Sequence, residues 1–418
     1  MLGDLLTSTL AQVLVGLLAA GIVAVLPPVK RFLIPRLKTL TSNWPSPLQS
    51  TAVKIADNAW PDWRTHGGGS RRDRRGTHRR LLAVRRGHRQ PRVLLLSSTY
   101  VDVSLTPVHL QYLRAGEFSG LDRVSMQLGG SGPFLGKHLR ERYMIRSRLF
   151  SRIGGTEDPL SEQLQRMLRK HGWRGRISRR DIHTSKGEQC GVSVHLQQED
   201  DAFHSTFTHV GALRSLSWSQ HMLAIQRASR RGGILYVSGF FRTNLQEHLC
   251  LSLRNLNPKL LIVFDHGSFE ASPPNRAVKT LQHAFKQGLI DVYVCTFLEL
   301  EHLCKAFGLI DAERSLPPSQ LVERVAERHR LFPRLVLVRG NALHEHEHAY
   351  AIWDGIITSS PVLADRSATY GVRPGEKSAF TAGFIAAISQ TNNEGQDMRA
   401  VLEEGLDKAV NCWAGEPA

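Results

Sequence analysis

The chain has 418 residues, 41% hydrophobic and 22% charged, with 54 Lys and Arg against 37 Asp and Glu for a formal net charge of +17. That balance excludes a wholly disordered or fibrous chain and leaves room for one large globular domain or two ordinary ones. Five cysteines with no CxxC pair exclude a disulfide framework and a zinc ribbon, and they suit a reducing compartment.

The first element is LAQVLVGLLAAGIVAVL, Leu10 to Leu26, which is uncharged and is followed by Pro27, Pro28 and the bases Lys30, Arg31, Arg36 and Lys38. About 17 apolar residues is the shortest helix that crosses a bilayer. Bases after the run, with Asp4 before it, distinguish it from a cleaved signal peptide. Residues 1–40 therefore read as a single-pass membrane anchor with the large domain cytoplasmic, as the positive-inside rule requires. A buried helix is the alternative, disfavoured because the run has almost no polar face.

Residues 41–90 read as an arginine-rich linker. The stretch RTHGGGSRRDRRGTHRRLLAVRRGHRQPR, Arg64 to Arg92, carries too little apolar surface to fold alone. Its arginines suit anionic lipid of the inner leaflet or nucleic-acid phosphates. No aromatic residues interleave them, which weighs against stacking on single strands, and a solvated tether is the plainer reading.

An α/β domain is predicted over residues 91–418. Short apolar runs recur at RVLLLSSTYVDVSL, LFSRIGG, ILYVSGFF, LLIVFDHGS, DVYVCTF and RLVLVRG, separated by helical patterns such as SEQLQRMLRKHGW and NRAVKTLQHAFKQG. Strand alternating with helix argues for a mostly parallel sheet with helices on both faces. Ligands of such sheets bind outside the carboxyl ends of the strands, where Asp102, Asp265 and Glu299 fall.

Several segments then stand in a set order: SSTYVDVSL, RVSMQLGGSGPFLGKHL, RIGGTEDPLSEQLQRMLRKHGW, FTHVGA, VFDHGS, VCTFLELEHLCKAFG, GEKSAFTAGFIAAIS and MRAVLEEGLDKAV. Over Arg92 to Ala414 this order resembles the ribokinase-like (PfkB-type) family of sugar and nucleoside kinases. The resemblance implies a ribokinase-like domain with a small β lid, drawn from residues near 103 to 127 and 185 to 210. It implies that Asp102, with Gly129 and Gly130, holds a sugar or nucleoside ligand, and that Glu299 is linked to magnesium. Gly375, Lys377 and Gly340 take the phosphate and nucleotide positions for ATP, and Ser378 stands where the family has its general-base aspartate.

The departures are as informative. Phe134 and Thr296 replace family asparagines, Val338 replaces a threonine, and Leu343 replaces a glycine of the nucleotide strand. A serine hydroxyl cannot serve unaided as a general base. Glu376 would crowd a phosphate with negative charge, which Lys377 is placed to offset. The leading expectation is a ligand-binding pseudokinase. An active ATP- and magnesium-dependent kinase with a relocated base, and an interaction protein working through its arginines, are the other two readings. Outside the family pattern, His344, His346 and His348 alternate as on one face of a strand, either as an open zinc site or as a solvated edge.

Overall fold

The computed structural model describes residues 76–85, 92–106, 123–173, 181–197, 204–267, 275–339, 348–361, 376–390 and 398–414. The apolar run Leu10 to Leu26 lies outside them, and among the described residues no helix is long and apolar enough to cross a membrane.

The arginine-rich stretch is not all linker. Gly76–Arg85 forms a helix, α1, whose Thr77, Arg80, Leu81 and Val84 share one face at i, i+3, i+4 and i+7 spacing and are all buried. Asp291, also buried, explains why an arginine can be there. Its Oδ1 accepts from Thr77 Oγ1 and from Arg80 Nε, each at 2.8 Å, while its Oδ2 accepts from the Ile262 backbone N–H at 2.8 Å. Composition counts arginines without showing that one has a buried acid waiting, and Gly76–Arg85 packs against the sheet through it.

The strand run that opens at Arg92 divides between two sheets. β1 (Val93–Leu96) ends at the corner Ser97–Ser98–Thr99, and the chain leaves as β2 (Tyr100–Thr106), which pairs antiparallel with β3 (Arg123–Gly129). There follow α2 (Ser131–Tyr143), β4 (Ser147–Gly154), α3 (Pro159–Leu168), β5 (Ile182–Ser185), β6 (Val192–Gln197) and β7 (His204–His209). The second half runs α4 (Trp218–Ala228), β8 (Gly233–Ser238), α5 (Leu249–Arg254), β9 (Leu260–Asp265), α6 (Asn275–Lys286), β10 (Val292–Thr296), α7 (Phe297–Ala306) and α8 (Pro318–Glu327). It closes with β11 (Leu335–Arg339), β12 (His348–Trp353), β13 (Ile356–Pro361), α9 (Glu376–Gln390) and α10 (Met398–Ala414).

The main sheet has nine strands in the order β13-β12-β11-β10-β9-β8-β1-β4-β5. Pairing is parallel from β11 through β5, and β12 alone runs against the other strands, pairing antiparallel with both β11 and β13. Alternate residues serve opposite faces, as the pleat demands. On β1, Val93 and Leu95 join the core beside α1, α2, α9 and α10, while Leu94 and Leu96 join the core beside α4 to α8. A separate four-stranded sheet, β3-β2-β6-β7, forms the lid.

Helix α9 is buried on all sides from Ser378 to Ile388, as expected for a helix without a polar face. Its small residues let α10 come close: a Cβ on Gly383 would stand 2.3 Å from the Lys408 carbonyl oxygen. This packing fixes the first turn of α9 at the carboxyl edge of the sheet, beside the ends of β9 and β10.

Candidate functional site

The corner after β1 is held by hydroxyls. Ser97 Oγ accepts from the Gly132 N–H and from Ser238 Oγ, both at 2.7 Å, so it ties β8 to the start of α2. Gly130 precedes α2 with φ of 98°, a conformation side chains resist, and a Cβ there would meet the Ser98 carbonyl oxygen at 2.3 Å. Gly129 is required for another reason: a Cβ would fall 2.0 Å from Asp102 Cγ, because the Asp102 carboxylate rests directly on it. Asp102, Gly129 and Gly130 are thus brought together where lid meets body.

Around Asp102 the lid presents polar side chains. Ser193 stands opposite it on β6 and lies 3.2 Å from Thr208, whose hydroxyl accepts from Arg242 Nη1 at 3.3 Å. His195 Nε2 lies 3.6 Å from Asp102 Oδ2, and its Nδ1 lies 3.0 Å from Thr206 Oγ1. Burial raises the Asp102 pKa above the ordinary carboxylate value, and the His195 imidazole offsets this only in part. The group is a buried acid with no lysine or arginine bound to it among the described residues. Such a carboxylate can accept hydrogen bonds from ligand hydroxyls.

Some distance along the edge, Asp265 and Glu299 are treated differently. Asp265 ends β9. Its Oδ2 accepts from Tyr236 O–H at 2.7 Å and its Oδ1 from the Gly267 N–H at 2.9 Å. Glu299 belongs to a capping box at the start of α7: Thr296 Oγ1 accepts from the Glu299 N–H at 3.2 Å, and Glu299 Oε2 accepts from the Thr296 N–H at 2.8 Å. Into this pair reaches Lys377 from the first turn of α9, its Nζ 2.6 Å from Asp265 Oδ1 and 2.5 Å from Glu299 Oε2. Burial alone would lower the Lys377 pKa, but the two carboxylates outweigh it and the net shift is upward. The ammonium is therefore charged. Its described partners are Asp265 and Glu299, while the Glu376 side chain lies outside what the structure describes.

That arrangement answers whether magnesium fits. The Asp265 and Glu299 oxygens that face one another already share an ammonium, and each also accepts a backbone N–H. A divalent ion would have to displace Lys377 to reach them. The residues do not fit the metal that the resemblance implies at Glu299.

Ser378 is buried, and its hydroxyl donates to the Ser131 carbonyl at 3.1 Å, fastening α9 to α2. Val338 is buried within β11, opposite Cys295 and Tyr350 on its two neighbours. Gly340, Leu343 and Gly375 lie outside the described residues, as do His344 and His346; His348 begins β12. Among the described residues no group of three or more His, Cys, Asp or Glu is placed to hold a metal. All five cysteines are free thiols. Sequence reasoning passed over His195, Arg242 and Tyr236; the polar alternation of lid strands β6 and β7 was the available signal for the first.

No protein-family model and no curated protein sequence matches the chain. Solved structures do. Ribokinase of Arabidopsis thaliana, in complex with ribose and ATP, superposes with a TM-score of 0.54 at 18% identity over 78% of this chain and 92% of that one. Ribokinase from Thermotoga maritima gives 0.54 at 15% identity, covering 78% of this chain and 96% of that one. Adenosine kinase from Sinorhizobium meliloti gives 0.52 at 13%, covering 77% and 93%. With its large mostly parallel sheet, flanking helices and small second sheet, the chain has the ribokinase-like fold of the PfkB-type sugar and nucleoside kinases.

Proposed function

We propose that the chain is a sugar- or nucleoside-binding pseudokinase. The observation that carries this reading is the Lys377 ammonium between Asp265 and Glu299. Phosphoryl transfer relies on divalent metal to bridge and neutralise the nucleotide phosphates. Here two carboxylates are matched by a single positive charge, which leaves that cluster with net −1 and a poor setting for a triphosphate. A general base typically contributes about 10²–10⁴ in rate, and Ser378, with its hydroxyl donated to a backbone carbonyl, offers none. The ligand side is intact by contrast, since Asp102 is buried, seated on Gly129 and faced by hydroxyls. The ribose in the Arabidopsis ribokinase complex supports a sugar ligand, and the nucleotide in that complex supports a nucleotide site that survives in part.

Calorimetry of the full chain against a sugar and nucleoside panel, alongside a coupled ATP turnover assay, tests the reading. A bound sugar or nucleoside without turnover is expected, and Ser378→Asp alone should not restore transfer because Lys377 stays in place. Robust wild-type turnover abolished by Glu376→Gln would establish a relocated base and an active kinase. The same proposal keeps the chain at a membrane through Leu10 to Leu26 with its arginines toward anionic lipid, on sequence grounds. Equal sedimentation with anionic vesicles of the full chain and of one lacking residues 1–75 would remove that part.

A further inference from the structure

We propose that the Lys377 ammonium is the permanent occupant of the cation position between Asp265 and Glu299, so that this site binds its ligands without divalent metal. The inference rests on reading that edge of the sheet as the phosphate-facing part of the site.

The geometry argues for an occupant and not for a chance surface ion pair. Lys377 is 17% exposed, Asp265 2% and Glu299 12%, so all three charges are largely withdrawn from water. Each carboxylate is oriented by other bonds before the lysine arrives: Asp265 by Tyr236 and Gly267, Glu299 by its capping box with Thr296. Two fixed acids facing one another across a short gap need a cation between them, because like charges that close cannot both remain ionised otherwise. A hard divalent ion is one solution, through oxygen ligands and retained waters. A tethered ammonium is another, and it needs neither dehydration of a free ion nor a supply of one.

The tether is also specific. Lys377 belongs to the first turn of α9, beside the ends of β9 and β10. The side chain put there crosses to β9 and α7, and α9 cannot shift to withdraw it, being buried on every side and pressed against α10 at Gly383.

The test uses the full chain and Mn2+ as probe, with free Mn2+ read by electron paramagnetic resonance and no sugar or nucleotide present, so it can fail independently of the ligand-binding reading. Wild type should show no Mn2+ binding that depends on Glu299. Lys377→Ala should gain one Mn2+ site at least about tenfold tighter than anything in wild type, and Lys377→Ala/Glu299→Gln should lose it. A wild-type Mn2+ site abolished by Glu299→Gln would overturn the proposal, as would a folded Lys377→Ala that gains none. Should Lys377→Ala not fold, the thermal midpoint of wild type in excess Mg2+ and in EDTA decides. No shift between the two upholds a resident ammonium, and a Mg2+-dependent rise removed by Glu299→Gln refutes it.

Discussion

Asp102, on the lid strand β2, and Asp265, at the end of β9 in the main sheet, are both buried acids, and the protein keeps them in opposite ways. Asp102 lies against a glycine, with an imidazole nitrogen at 3.6 Å. Asp265 has an ammonium, a phenol and a backbone N–H on its two oxygens. A buried acid without a bound cation is costly by itself and retains capacity for a ligand. A saturated one contributes to the fold and has little left to offer. Asp102 thus keeps acceptor capacity that Asp265 has already given to its three partners.

The largest way to break this contrast is to remove the ammonium. Lys377→Ala leaves two carboxylates facing one another in a poorly hydrated place, and loss of one partner from a buried ionic cluster costs about 3–5 kcal/mol. Urea unfolding should show that loss, whereas Asp102→Asn should leave stability unchanged or raised. Equal destabilisation by the two substitutions would erase the distinction. Next comes ligand affinity. Asp102→Asn should weaken whichever sugar or nucleoside binds by about 1.5–3 kcal/mol, the value of hydrogen bonds to a charged group, and calorimetry would read it directly. An unchanged affinity would move the ligand away from Asp102.

Smaller still is Gly129→Ala. The added methyl meets the Asp102 carboxylate, and overpacking of this kind costs about 1–3 kcal/mol. Combined with Asp102→Ala the cost should largely vanish, and a cost that persisted in the double variant would place the strain elsewhere. The pH dependence sharpens the contrast most finely. The folded pKa of Lys377 is raised, so its contribution to stability is complete below 10.5, its ordinary value, and disappears as pH rises through the folded value. The folded pKa of Asp102 is raised as well, and the slope has the same direction, here because burial disfavours the charged form: stability is gained as pH falls through the folded value, and the gain is complete below 3.8. Denaturation midpoints across pH should therefore lose an alkaline step in Lys377→Ala and an acid-side rise in Asp102→Asn.

Much of the body was legible because strand and helix periods differ and the chain alternates them. The break at Ser97–Ser98–Thr99 was not, since β-branched and apolar residues continue through it and nothing local says that the strand changes sheets. Asp102 and the two glycines could be grouped from motif order, but the reason for Gly129, a carboxylate seated on its Cα, is a tertiary contact. Thr296 was read as a lost asparagine, whereas T-x-x-E before an apolar run is also a helix-start signature and is used as one. Lys377 was weighed against its neighbour Glu376 because sequence shows neighbours first; its partners arrive from β9 and α7. α1 was hidden by its own arginines.

The clasp between α1 and Asp291 has a mechanical consequence. Asp291 sits just before β10, at the amino edge of the parallel strands, opposite the edge that carries Asp102 and Lys377. A pull on the chain preceding Gly76 would load Thr77 and Arg80 first and pass through Asp291 into the middle of the sheet. Helix α1 also packs through Leu81 and Val84 into the core that holds α9, so the load would be shared between Asp291 and that core. Asp102 and Gly129 stand at the other edge, so force applied ahead of Gly76 would enter the molecule on the side remote from the corner where lid meets body.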